Sequence, residues 1–208
     1  MSRTTLLLMM AGLLGLGVAA ASCGTLSKPY PEKSFFAIDA GPTPAATPAS
    51  REGSLRVRRL RVAKPYDGLT FVYKTGGSEF RTDYYNGFIA APEALLTSET
   101  IRWLSTAGPF VSVVDGASSA PNRYVLEGNV TTFCGDMTDP KAPKAVLEAR
   151  FFLLDESGAE ASVKFQKAYA AGVPTAGGKP ADLADAWGKA MRQILTALAA
   201  DLAKAELR

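Results

Sequence analysis

Apolar residues recur along this chain with two different periods, and each change of period marks a change of element. Leu183, Trp187, Ala190, Met191, Ile194, Leu198 and Leu202 follow one another at spacings of three and four, while Asp182, Asp185, Lys189, Arg192 and Asp201 fall outside that stripe. One apolar stripe at this spacing is an amphipathic helix with a single buried face, and it predicts a helix from about Pro180 to Ala205. A second helix is predicted over Pro92–Ala107. Pro92, Leu96, Thr100, Trp103, Leu104 and Ala107 form its apolar stripe, and Ser98, Glu99, Arg102 and Ser105 lie opposite. Pro92 suits a first turn, Glu93 the positive end of the dipole, and Gly108-Pro109 a stop.

Elsewhere the period is two. Leu55 to Val62 alternates, but its apolar set moves from odd positions (Leu55, Val57) to even ones (Leu60, Val62). A strict period of two forbids that move, so a bulge is expected near Arg58 and Arg59. Thr70–Tyr73 and Glu79–Tyr85 read as a hairpin turning at Gly76-Gly77. Ser34–Ile38 and Phe110–Val114 are short strands, and the second ends at Asp115-Gly116. Tyr124–Cys134 is a long strand. Ala145, Leu147, Ala149, Phe151 and Leu153 alternate with Glu148 and Arg150, and Ala161, Val163, Phe165 and Tyr169 do so with Ser162, Lys164 and Gln166. Turn residues Asp155 to Gly158 join the last two, which predicts an antiparallel meander of three long strands. Asp39 to Gly53 and Ala171 to Lys179, rich in Pro and Gly, read as loops. The fold class is therefore α+β, a mostly antiparallel sheet with two main helices packed on one face. The other face must be polar or covered by a partner, which leaves room for a homo-oligomer.

The amino terminus has a pattern of its own. After Arg3, Leu6 to Ala21 supplies 16 apolar or small residues. A membrane-spanning helix needs about 20 and a secretory h-region about 7–15, so residues 1–22 are expected to be a signal peptide. The run ends Val18-Ala19-Ala20-Ala21-Ser22-Cys23-Gly24, and small residues leading into a cysteine resemble the lipobox of bacterial lipoproteins. That resemblance implies cleavage between Ser22 and Cys23, diacylglycerol on the Cys23 sulfur and an acyl chain on its new amino group. A plain secretory signal with Cys23 as a spare thiol, or a retained anchor, are the alternatives. One myristoyl-sized chain holds a membrane at only about 10⁴ M⁻¹, whereas three hold it in effect permanently. Gly24 stands where an inner-membrane retention signal would be Asp, which implies sorting to the outer membrane. Residues 23–33 then form a lipidated tether, with Pro29 and Pro31 excluding regular structure, and residues 34–208 a single α+β domain.

Removing 22 of 208 residues leaves 186, enough for one domain with a sizeable core. Loss of Arg3 leaves 22 basic residues against 20 acidic, so no global field favours nucleic acid. The chain has no histidine, which removes Ser-His-Asp and Cys-His chemistry and most zinc sites. No cofactor motif is present: Gly15-Leu16-Gly17-Val18-Ala19-Ala20 matches a dinucleotide fingerprint only as a string inside the signal peptide. Cys134 has no partner once Cys23 is acylated, and is expected to be buried without a disulfide. The candidate surface is therefore one of contact. Tyr84, Tyr85 and Phe88 crowd aromatics before the first helix; a core corner is the plainer reading, and a contact surface, since exposed aromatics commonly anchor interfaces, is the functional one. Arg56, Arg58 and Arg59 form a second patch, either facing an acidic partner or lipid phosphates, or simply solvated. Trp103 and Trp187 fall on apolar stripes and are read as core.

These features together resemble the ABC-type transport auxiliary lipoproteins, the family of paraquat-inducible protein C. The resemblance runs through the lipobox, the aromatic strand Ser34 to Ile38, and the basic apolar strand Leu55 to Val62. It continues in Tyr84-Tyr85-Asn86 leading to Pro92-Glu93-Ala94-Leu95-Leu96, in the strand pair Glu148 to Tyr169, and in the Ala-rich last helix. Gly87-Phe88 stands where members commonly have Arg-Trp. The family implies a non-enzymatic part of an MCE-type ABC system that moves lipid between the inner and outer membranes. The expected partners are an MCE-domain protein, the ABC transporter complex and, through the anchor, the periplasmic face of the outer membrane. Another envelope adaptor, such as a lipopolysaccharide-assembly lipoprotein or a cell-wall synthase activator, is the alternative. A hydrolase using carboxylates alone would need a converging acid pair, which the sequence does not display.

Overall fold

A computed structural model describes residues 31–45, 51–175 and 177–206. The signal peptide expected over 1–22 and the site at Ser22 and Cys23 lie outside the described residues. Lys33–Arg208 forms one compact unit. Its strands are β1 (Ser34–Phe36), β2 (Arg51–Val57), β3 (Arg61–Val62), β4 (Thr70–Lys74), β5 (Phe80–Phe88), β6 (Phe110–Asp115), β7 (Tyr124–Asp136), β8 (Lys144–Asp155) and β9 (Ser162–Pro174). Its helices are α1 (Pro92–Ala107) and α2 (Pro180–Lys204).

β7 is the spine of the sheet. One edge pairs with β8 along its full length, antiparallel, from Tyr124↔Asp155 to Asp136↔Lys144. The other edge is occupied in turn by β2, β3 and β4, all parallel to it. Outside these lie β6 against β2, β5 against β4, β1 against β5, and β9 against β8. The meander β7–β8–β9 is antiparallel, as its alternation predicts. The sheet as a whole is mixed, which corrects the expectation of a mostly antiparallel one. The expected bulge is also present. Val57 pairs with Leu126 and Arg61 with Asn129, so three residues, 58–60, face two, 127 and 128. The displaced Leu60 N–H leaves the ladder and donates to Thr97 Oγ1 of α1 at 2.9 Å. The extra residue returns Leu60 to the buried side, beside Leu55 and Val57.

Both helices pack into one core and touch each other. α2 lies across β8 and β9, and α1 lies over β6, β2 and β3. Along β8 the odd positions from Ala145 to Leu153 are buried, while Arg150 points to solvent. The loop expected over Ala171 to Lys179 begins later than read, because β9 runs on to Pro174 with Tyr169, Ala171 and Val173 buried in alternation. Trp187 of α2 centres the core. Its ring lies 4.9 Å from Phe71, 4.9 Å from Phe133 and 5.4 Å from Phe88, and its Nε1–H donates to the Cys134 carbonyl at 3.2 Å. Trp103 is equally buried on α1.

The segment after β1 is held between the two helices. Ile38 and Ala40 are buried, Ala40 N–H donates to Glu99 Oε2 at 2.9 Å, and Arg192 Nε donates to the Ala40 carbonyl at 2.5 Å. This crossing is so close that a Cβ on Gly188 of α2 would collide with the Asp39 carbonyl oxygen.

Candidate functional site

The aromatic segment of β5 divides between core and surface. Phe88 is 2% exposed, stacked on Phe133 at 5.0 Å and tilted against Phe71 at 4.7 Å. It is not a surface anchor: it follows Gly87 on the strand and turns inward into the cluster around Trp187. Tyr84 is exposed, and Tyr85 is half-buried with its ring 5.0 Å from that of Tyr84, edge to face.

Asp83 sets this geometry. Its Oδ1 accepts the N–H groups of Tyr85 and Asn86 at 2.9 and 3.0 Å, and its Oδ2 accepts Tyr73 OH at 2.8 Å and Asn86 Nδ2 at 3.0 Å. Burial opposes the charge on Asp83, but the bonds from Tyr73, Tyr85 and Asn86 outweigh it and hold the carboxyl below its usual range. The same contact, after burial itself, pushes the Tyr73 hydroxyl upward. Asp83 is not among the residues that type and pattern single out. The signal available was an Asp two and three residues before N–H groups it can bond, the usual spacing of side-chain-to-backbone turns.

The arginines surround a groove of about 670 Å³ lined by Arg58, Arg59, Arg61, Thr97, Glu127 and Asn129 among others. Arg58 lies on the bulge and pairs with Glu127 of β7, and at 3.0 Å with Glu156 of the β8–β9 turn. Arg59 reaches Glu93 in the first turn of α1 at 3.2 Å. Arg56 stands apart: it is half-buried and donates to the Ala120 carbonyl at 2.9 Å, bracing the loop before β7. The groove therefore holds both signs of charge, and Arg58 and Arg59 already have carboxylate partners.

Cys134 is buried and free, and burial, first of its causes, raises its thiol to about 11. Among the described residues, no group of three or more acidic or cysteine side chains converges as a metal site would require. No helix of the described residues is long and apolar enough to cross a membrane.

The sequence profile of the ABC-type transport auxiliary lipoprotein component family matches residues 36–203, from β1 almost to the end of α2. The chain belongs to this family. No curated protein matches it. Protein XCC0632 from Xanthomonas campestris, of family DUF330, superposes with a TM-score of 0.71 at 20% identity, covering 81% of this chain and 94% of that one. A second crystal structure, of an uncharacterized protein, gives a TM-score of 0.64 at 15% identity, covering 82% of this chain and 99% of that one. At these identities the two relatives share the fold with this auxiliary lipoprotein.

Proposed function

We propose that this auxiliary lipoprotein is attached through acylated Cys23 to the periplasmic face of the outer membrane. There it serves as a non-enzymatic component of an MCE-type ABC lipid transport system. The observation that carries the reading is the family match over 36–203, set behind a leader that ends in a lipobox-like cysteine. The chemistry is consistent with it. The chain has no histidine to act as a base near neutral pH, and the candidate surfaces among the described residues carry aromatic side chains and ion-paired arginines. The domain acts by contact, holding the outer end of a lipid conduit near the membrane.

The test has two parts. Radiolabelled palmitate should enter the wild-type chain and not Cys23→Ser, and the labelled protein should sediment with the outer membrane on a density gradient. Affinity capture of the tagged lipoprotein from detergent-solubilised envelopes should bring down an MCE-domain subunit and the ABC subunits. Equal labelling of wild type and Cys23→Ser would overturn the anchor. Capture of lipopolysaccharide-assembly or cell-wall synthase subunits in their place would overturn the transport role.

A further inference from the structure

Several exposed apolar side chains collect at one place. Phe35 (54% exposed), Leu69 (51%), Tyr84 (62%) and Ile89 (63%) all surround the short β1–β5 pairing. Phe35 lies opposite Gly87 in the parallel register. Phe36, next to it, packs on Phe71 at 5.4 Å, so Phe35 faces the opposite way, outward. Ile89 N–H donates to the Phe36 carbonyl at 2.9 Å, and Phe88 N–H donates to the Leu69 carbonyl at 2.6 Å. Gly87, between them, has no side chain to separate Phe35 from Leu69, and a Cβ there would strike the Leu69 carbonyl oxygen. Lys33 closes the border, its Nζ 4.3 Å over the Tyr84 ring.

This patch is also the root of the tether. Lys33 begins the compact unit, and Cys23 lies ten residues before it. Ten residues span at most about 35 Å when fully extended, so acyl chains on Cys23 would keep this end of the domain within that distance of the bilayer. We infer that the patch rests on that bilayer, with Phe35, Leu69, Tyr84 and Ile89 entering the headgroup region and Lys33 meeting lipid phosphates. Aromatic rings with a polar tip and lysines with an apolar stem suit this boundary. A tethered contact needs little intrinsic affinity, because short linkers give effective concentrations in the millimolar range. The inference rests on the acylation of Cys23 proposed above. It adds that the domain itself has a membrane-facing side and therefore a fixed orientation.

The test uses the full, lipidated chain in vesicles of phosphatidylethanolamine and phosphatidylglycerol whose acyl chains carry bromine. Phe35→Trp and Ile89→Trp each place an indole in the patch. Val111→Trp places one at a still more exposed position (70%) on β6, at the other end of the strand order from β1. The unsubstituted chain, whose Trp103 and Trp187 are buried, supplies the background. Brominated lipid should quench the added emission of Phe35→Trp and Ile89→Trp several-fold more than that of Val111→Trp. Flotation is measured on the same samples. A chain that fails to float overturns the anchor and the patch together. A chain that floats without selective quenching overturns the patch alone. Added emission that responds to protein concentration and not to bromine would give the patch to a second copy and also overturn it.

Discussion

Truncating Phe88 to alanine separates the two explanations of the aromatic segment, because one predicts a loss of stability and the other a loss of affinity. Phe88 is 2% exposed and its ring touches those of Phe71, Phe133 and Trp187, with centroids at 4.7, 5.0 and 5.4 Å. Phe→Ala in such a setting costs about 3–5 kcal/mol, combining lost transfer energy with the cavity left behind. Total stabilities are about 5–15 kcal/mol, so the loss is a large share. For a domain of this size about 1 kcal/mol moves the melting temperature by roughly 2–4 °C, which predicts a fall of about 10 °C. Phe88→Leu, which keeps most of the volume, should fall by only a few degrees. Tyr84→Ala, at an exposed position, should move stability by no more than about 0.5 kcal/mol. Thermal melts followed by circular dichroism give the numbers, and Trp187, in ring contact with Phe88, supplies a fluorescence probe of the same event. A Phe88→Ala protein that melts within about 3 °C of wild type would refute the core assignment.

Other positions give equally direct tests. Gly188→Ala should lower the melting temperature, although Ala in a helix interior normally gains about 1 kcal/mol over Gly, because the new Cβ would meet the Asp39 carbonyl; an unchanged or higher melting temperature would count against the close crossing. Asp155, hydrogen-bonded first of all to Arg123 against the effect of its own burial, has its carboxyl lowered to about 2. Its folded value lies below an unfolded value near 3.9, so its contribution is complete above about pH 4 and is lost as pH falls toward 2; Asp155→Asn should flatten the stability curve in that window, and an unchanged slope would remove the pair from the account. The Cys134 thiol, buried and raised to about 11, should react with a maleimide only when the chain unfolds, and labelling at the rate of an exposed thiol would disprove its burial.

The period-two pattern was a good guide to faces and a poor guide to partners. Alternation along β8 predicts which side is buried, and the odd-to-even move between Val57 and Leu60 predicts the bulge that sends Leu60 N–H to Thr97. Neither pattern reveals that β2, β3 and β4 succeed one another along a single edge of β7. Parallel pairing joins segments far apart in sequence, and no local signal records which edge a strand will find. That β9 runs on past Ala171, where a loop is expected, has a different cause. Gly172 and Pro174 suggested a loop, yet Tyr169, Ala171 and Val173 carry the alternation on, and Pro174 sits at the strand end where its missing N–H matters least. The contact residues were the least legible. Residue type marked Tyr84, Tyr85 and Phe88 as a group, but the strand sends Phe88 inward and Tyr84 outward, and Asp83 fixes the backbone between them.

The arginine run shows how such a surface can contribute without being a strong site. Arg58 is shared between Glu127 and Glu156, and Arg59 is held by Glu93, with both arginine side chains substantially exposed. Exposed pairs of this kind are worth about 0–1 kcal/mol each. A partner carboxylate entering the groove would replace one of these glutamates, so one ion pair would be exchanged for another and little affinity would be gained. What such an exchange does supply is orientation and approach, since complementary charge sets register and speeds encounter more than it tightens a complex. Affinity would then have to come from elsewhere, and the acyl anchor proposed at Cys23, by confining the domain to a surface, would remove much of the need for it. If Cys23 carries the proposed acyl chains, the groove of this lipoprotein would select how a partner sits, and the anchor, with the apolar patch inferred at its root, would keep the domain where that partner must come.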